Sequence, residues 1–126
     1  MIYGSVGVGV TELVITCKTR SSGRVDIAKH DAVMLVGEYT VDNKPVECES
    51  RIFGQALADS RANAEAIPVK VRGMFIFNYD GPAPVVNGIA GVLMSSRGKV
   101  KAPVFSNGQG INLKVDTTTK QVHVLL

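Results

Sequence analysis

Between Ile67 and Phe77 the chain keeps strict alternation. Ile67, Val69, Val71, Gly73, Phe75 and Phe77 fall at every other position, with Pro68, Lys70, Arg72, Met74 and Ile76 between them. A period of two is that of a half-buried β-strand, because successive side chains point to opposite faces of a sheet. A helix would scatter the same residues around its circumference. Upstream, Ile52 to Leu57 is a shorter apolar run, and Asp59 to Glu65 holds small and polar residues that suit a connection. The whole stretch from Ile52 to Phe77 therefore predicts a β-hairpin. Pro68 has no amide hydrogen to give to a ladder, which predicts a sheet edge or a missing donor aimed at solvent. Gly73 stands in the inward phase, where a branched side chain would overpack the strand.

The rest of the chain repeats this grammar in shorter units. Leu13, Ile15 and Cys17 alternate with polar residues before the Ser21-Ser22-Gly23 turn, and Val25 and Ile27 are in phase after it. Ala32 to Val36 and Glu38 to Val41 are strand-like, with a bulge or bend expected at Gly37. A turn at Asp42 to Pro45 follows, and Val46 and Cys48 then alternate with Glu47 and Glu49. Tyr79 to Pro84 reads as a loop, Asn87-Gly88 as a hairpin turn, and Ser95 to Gly98 as a further turn. Ile111, Leu113 and Val115 are expected to face inward, as are Val122, Val124 and Leu126 in a last strand. The best helix candidate, Ala56 to Ala66, has room for a turn or two and lacks a sustained apolar stripe. Strands recurring about every ten residues predict an all-β fold, a compact barrel or sandwich of short antiparallel strands.

At 126 residues the chain is long enough for one domain with a real core. Residues 11–126 read as a single β-barrel-like domain and residues 1–10 as an extended N-terminal arm. In that arm Val6, Val8 and Val10 share one side and Gly7 and Gly9 the other, so it orders well only against another surface. Strand pairing with a neighbouring protein and an ordinary terminus are both open readings. A mean hydropathy of +0.17 is apolar for a small monomer and predicts surface buried against a partner.

The net charge of +3 comes from basic residues spread along the sequence, without the patch a nucleic-acid groove requires. Arg97, Lys99 and Lys101 are the densest group and read as an edge strand protected by lysines. Cys17 and Cys48 are in phase with apolar neighbours and are expected as buried free thiols. The opening residues have no secretory pattern, and no apolar run approaches membrane-spanning length, so no membrane step is expected. Catalytic signatures are equally thin. His30 and His123 have no companion at metal-ligand spacing, and the serines sit in turn clusters. Glu47 and Glu49 read as a solvated acidic edge, and Asp59 as a turn former bonding amides of its own turn. Gly98-Lys99 lacks the glycine and hydroxyl of a phosphate loop, with Leu93 and Val100 in their places. No cofactor and no enzymatic activity are expected.

The segment FGQALADSRANAEAIPVKVRGMFIF resembles the central part of tailed-bacteriophage capsid decoration, or cement, proteins of the small β-barrel kind. In these a strand with a glycine, here Gly54, leads through small apolar residues into an Ala/Asp-rich turn at Asp59, followed by an alternating strand ending in a basic residue, Gly and an aromatic, here Arg72, Gly73 and Phe75. The similarity extends to AVMLVG at Ala32 to Gly37 and to VDTTTKQVHVLL at the end. It implies a protein made in the host cytoplasm and added to the outer surface of the virion head, bridging major capsid proteins and resisting DNA pressure. It further implies a homo-oligomer, a trimer or a dimer, with no direct nucleic-acid contact. On this reading the capsid or sister-protomer contacts are Ile2, Tyr3, Val6, Val8 and Val10 of the arm, with Tyr79, Pro82 and Pro84 of the loop as the other candidate rim. The competing reading is a small β-barrel binding module for nucleic acid or saccharide. A composition only 6% aromatic argues against base stacking.

Overall fold

A computed structural model describes residues 12–45, 50–86, 91–104 and 107–126 of the chain. The described residues contain strands and no helix. The strands are β1 (Leu13–Lys18), β2 (Ala32–Gly37), β3 (Thr40–Asp42), β4 (Gly54–Ala56), β5 (Ala66–Arg72), β6 (Met74–Asp80), β7 (Leu93–Met94), β8 (Val100–Lys101), β9 (Ile111–Asp116) and β10 (Gln121–Leu125). The first five close into a barrel in the order β1-β3-β2-β4-β5, and the last five form a second sheet in the order β7-β8-β6-β10-β9. Most ladders are antiparallel. The short β1–β3 and β6–β8 contacts are parallel, a departure from a purely antiparallel expectation.

The alternating stretch is one continuous phase serving two cores. Ile67 and Val69 point into the barrel, whose core also holds Cys17, Val25, Ile27, Val33, Val41 and Ala56. Phe75, Phe77 and Tyr79 point into a second core with Val92, Met94, Val100, Val122 and Val124, closed from the barrel side by Ala32, Met34 and Ile52. The switch happens at Gly73, which separates β5 from β6, adopts φ +122° and exchanges two backbone hydrogen bonds with Leu126. That φ lies where L side chains rarely go, so glycine is required at the crossing. The expected hairpin of β4 and β5 is present, with Gln55 opposite Lys70 and Ala56 opposite Val69. What the alternation did not reveal is that its second half is two strands.

Pro68 is not at an edge. It lies in β5 between β1 and β4, opposite Thr16, and its carbonyl accepts from the Leu57 amide just beyond the end of β4. The reciprocal bond is the one proline cannot make, so the ladder stops there and the barrel still closes. The apolar run of β2 is explained by its position. Val33 faces the barrel core while Ala32 and Met34 face the second core, so both faces of the strand are buried and the run shows little alternation. Gly37 ends β2 after a register shift and pairs with Thr40, and the left-handed demand of the turn falls on Tyr39, at φ +48°.

Residues 56–66 form no helix. Ser60 exchanges backbone hydrogen bonds with Ile27, the Arg61 guanidinium donates to the Ile27 carbonyl, and the Thr19 hydroxyl donates to the Ala62 carbonyl. With Ala64 at φ +52°, these tertiary bonds replace the local ones a helix would have used. Asp59 also differs from expectation. Its carboxylate accepts from the Lys29 amide at 2.6 Å, tying two loops together instead of capping its own turn. The turn from Ser95 to Gly98 is present, but β8 lies between β7 and β6 and is no lysine-protected edge. Cys17 is buried and free, and burial pushes its thiol pKa up. The expected strand with Cys48, Glu47 and Glu49, the Asn87-Gly88 turn and the arm at 1–10 lie outside the described residues.

Candidate binding face on the second sheet

The sequence placed Ile111 and Leu113 inward, and the structure turns them out. In β9 the buried residue is Asn112, whose amide donates to the carbonyls of Val85 at 2.9 Å and Gly91 at 3.0 Å. A polar anchor for the neighbouring loop thus occupies the inward phase, and the apolar residues on either side of it face solvent. A register shift between His123 and Val124 then brings Val115 back inward against the second core. The hydrophobic pattern alone pointed to the wrong phase, because Ile111, Leu113 and Val115 share one phase of β9 and Asn112, Lys114 and Asp116 the other.

The outward residues of three adjacent strands line up. Ile111 of β9 lies opposite Leu125 of β10, which lies opposite Met74 of β6; in the next row Lys114, His123 and Ile76 are in register. Leu113 stands at the shift between the rows. Met74, Ile76, Ile111, Leu113 and Leu125 are each 37–46% exposed, and together they form a continuous apolar patch on a hydrogen-bonded sheet. Met74 and Ile76 are apolar residues in the solvent phase of the central strand, a sequence signal of this face. β9 is the last strand of this sheet.

Two clefts border the patch. One, of about 560 Å³, lies between the barrel and β6 and is lined by Glu12, Lys29, His30, Gln55, Lys70, Asn78 and Gln121 together with Met74 and Ile76. Its floor is well ordered by hydrogen bonds. The nearly buried Lys70 ammonium donates to Glu12 at 2.7 Å and to the Met74 carbonyl at 2.5 Å and lies 4.9 Å from the Phe75 ring centre. The buried Gln55 amide donates to the carbonyls of His30 and Ile76. The other, of about 750 Å³, lies past the opposite end of the patch and is lined in part by Phe53, Val71, Arg72, Ile111, Leu125 and Leu126. It opens just before β4 begins, where the chain at Ile52-Phe53 parts from β5. The Gln109 side chain there acts as a stand-in strand, its amide nitrogen donating to the Ile52 carbonyl at 2.9 Å and its oxygen accepting from the Ile52 amide.

The contact residues suggested by the sequence sit elsewhere. Tyr79 is only 4% exposed and belongs to the second core, Pro84 is buried, and Pro82 alone of the three is exposed. Ile2, Tyr3, Val6, Val8 and Val10 lie outside the described residues. The turn after β6 is instead held inward by Asp80, which accepts from the hydroxyls of Ser95 at 2.9 Å and Ser96 at 3.0 Å and lies 3.5 Å from the Lys99 ammonium. Burial pushes its carboxyl up, but the two hydroxyls and the ammonium outweigh that and hold it below the usual range. Among the described residues no three His, Cys, Asp or Glu side chains form a group able to hold a metal, and no helix is long and apolar enough to cross a membrane. The face offers apolar contact, hydrogen-bonding amides and fixed charges.

Fold and face define the chain as an all-β protein built of a closed five-stranded barrel backed by a second five-stranded sheet. No family model and no curated protein matches it.

Proposed function

We propose that this protein is a structural decoration protein that binds the outer surface of a tailed-phage head, bridges neighbouring major capsid proteins and stabilises the shell against DNA pressure. The single observation that carries the reading is the exposed apolar patch of Met74, Ile76, Ile111, Leu113 and Leu125 on a hydrogen-bonded sheet. Contiguous apolar surface of this kind is uncommon on a monomer without a partner. A cement protein needs such a surface and no reaction centre. The resemblance of the segment from Phe53 to Phe77 supplies the kind of partner, and self-association as a trimer or dimer on the shell belongs to the same reading.

The test is co-sedimentation of the purified protein with empty heads assembled from the major capsid protein of the source genome. Saturable retention is expected, together with a higher melting temperature of the decorated heads. Recovery of the protein only in the supernatant at every concentration would refute the reading. The cleft beside Lys70 favours one alternative, a saccharide-binding module, because Gln55, Asn78 and Gln121 offer donors and acceptors above the apolar Met74 and Ile76. Selective retention on a glycan array with none on heads would favour it.

A further inference from the structure

We infer that the patch docks on a protein surface with an apolar centre ringed by carboxylates; this rests on the proposed function and names the chemistry of the capsid surface it requires. Charged side chains surround the patch. Arg72 borders it through the cleft shared with Ile111 and Leu125. Lys29 borders it across the other cleft, beside Met74 and Ile76. Lys114 stands on β9 in the row of His123 and Ile76. Lys29 and Arg72 are in no ion pair among the described residues.

Among the carboxylates nearby, Asp59 accepts from the Lys29 amide at 2.6 Å. Glu12 holds the Lys70 ammonium at 2.7 Å, and Asp116 accepts from the amides of Thr118 and Thr119 at 2.9 and 3.1 Å. The rim therefore carries two cations outside any ion pair among the described residues, Arg72 and Lys29, with Lys114 near the Asp116 carboxylate, around a centre that is apolar. Across an interface, potentials of opposite sign steer encounter and fix orientation, so the matching surface carries Asp or Glu at its margin. A second copy of this face fits poorly, since it would set Arg72, Lys29 and Lys114 against their own kind. A nucleic acid fits the cations and leaves the apolar centre uncovered. The chain's overall charge is only +3, so the effect is one of placement.

The experiment compares two double charge reversals of equal size in the full chain, R72E/K114E at the rim and K18E/K44E on exposed positions of the barrel side, for retention on the same empty heads. Far-ultraviolet dichroism and melting confirm that both are folded. R72E/K114E is expected to weaken retention about tenfold or more and K18E/K44E to leave it within about twofold, with added salt weakening the wild type toward the rim variant. Equal losses in both variants would mean unlocalised charge attraction and overturn the inference. So would retention by R72E/K114E at wild-type strength. Neither outcome touches the functional reading, which fails separately if the wild type is not retained. An apolar variant, Leu113→Asp, is expected to reduce retention as strongly as the rim reversal. Wild-type binding to a fluorescent DNA oligonucleotide that Leu113→Asp leaves intact, without retention on heads, would assign the cations to phosphates and overturn the inference.

Discussion

Gly54→Ala is the sharpest stability test of the barrel. Gly54 opens β4, and a Cβ built there would collide with the carbonyl oxygen of Lys70, lie 2.9 Å from Val69 Cγ1 and lie 3.1 Å from the Lys70 carbonyl carbon. The obstruction is the backbone of the next barrel strand, which no rotamer change relieves. Space comes only from opening the short β4–β5 ladder, whose register pairs are Gln55 with Lys70 and Ala56 with Val69. Overpacking of this kind costs about 1–3 kcal/mol, and each ladder hydrogen bond lost removes about 1 kcal/mol net. A total near ~3–4 kcal/mol follows. For a chain of this length ~1 kcal/mol moves the midpoint by about 4 °C, so thermal unfolding followed by circular dichroism should show a fall of roughly 12–16 °C. Gly37→Ala is the control. Its Cβ would meet Thr40 Cβ at 3.5 Å, an ordinary contact, and its φ is not in the left-handed region. That substitution should be neutral or raise stability by ~0.4–1 kcal/mol through the unfolded chain. A Gly54→Ala protein melting within a few degrees of wild type would refute the close approach of β4 to β5.

Gly73→Val should cost at least about 1–3 kcal/mol, because φ +122° is strained for any L side chain; an unchanged melting temperature would mean that the β5–β6 crossing does not need this backbone. Asp80 gives a pH test. Its folded pKa is lowered, so its contribution is fully present above the unfolded value near ~3.9 and is lost as pH falls through the folded pKa. Asp80→Asn should therefore melt below wild type at neutral pH, with the gap closing as acid approaches and passes that range. A gap independent of pH would show that the Ser95, Ser96 and Lys99 contacts do not depend on the carboxylate charge.

The sequence was most informative where one face of a strand is buried and the other is wet. From Ile67 to Phe77 the inward phase was legible because apolar residues and Gly73 hold it throughout, whereas the burial of Lys70 in the other phase was not. It could not show that Gly73 transfers the strand from one core to another, since both cores lie on the same phase. Of the two alternatives for Pro68 only the sheet edge failed, because a missing donor implies an edge only if the neighbouring strand continues past it, and β4 stops short. The candidate face was hidden for a related reason. Ile111, Leu113 and Val115 read as one inward set until a single buried amide, Asn112, and a one-residue register shift divide them. Asp59 and the absent helix depended on partners about thirty residues or more away, Lys29 and Ile27, which no local pattern contains.

The proposed attachment to the outside of a phage head through the second sheet would be seen in a three-dimensional electron-microscopic image of empty phage heads incubated with the purified protein. Regularly placed copies on the outer surface are expected, with the strand face carrying Met74, Ile76, Ile111, Leu113 and Leu125 against the shell and acidic capsid residues beside Arg72 and Lys114. Heads with no ordered copies would contradict the attachment itself. Copies seated through the barrel, with that strand face open to solvent, would contradict the assigned surface.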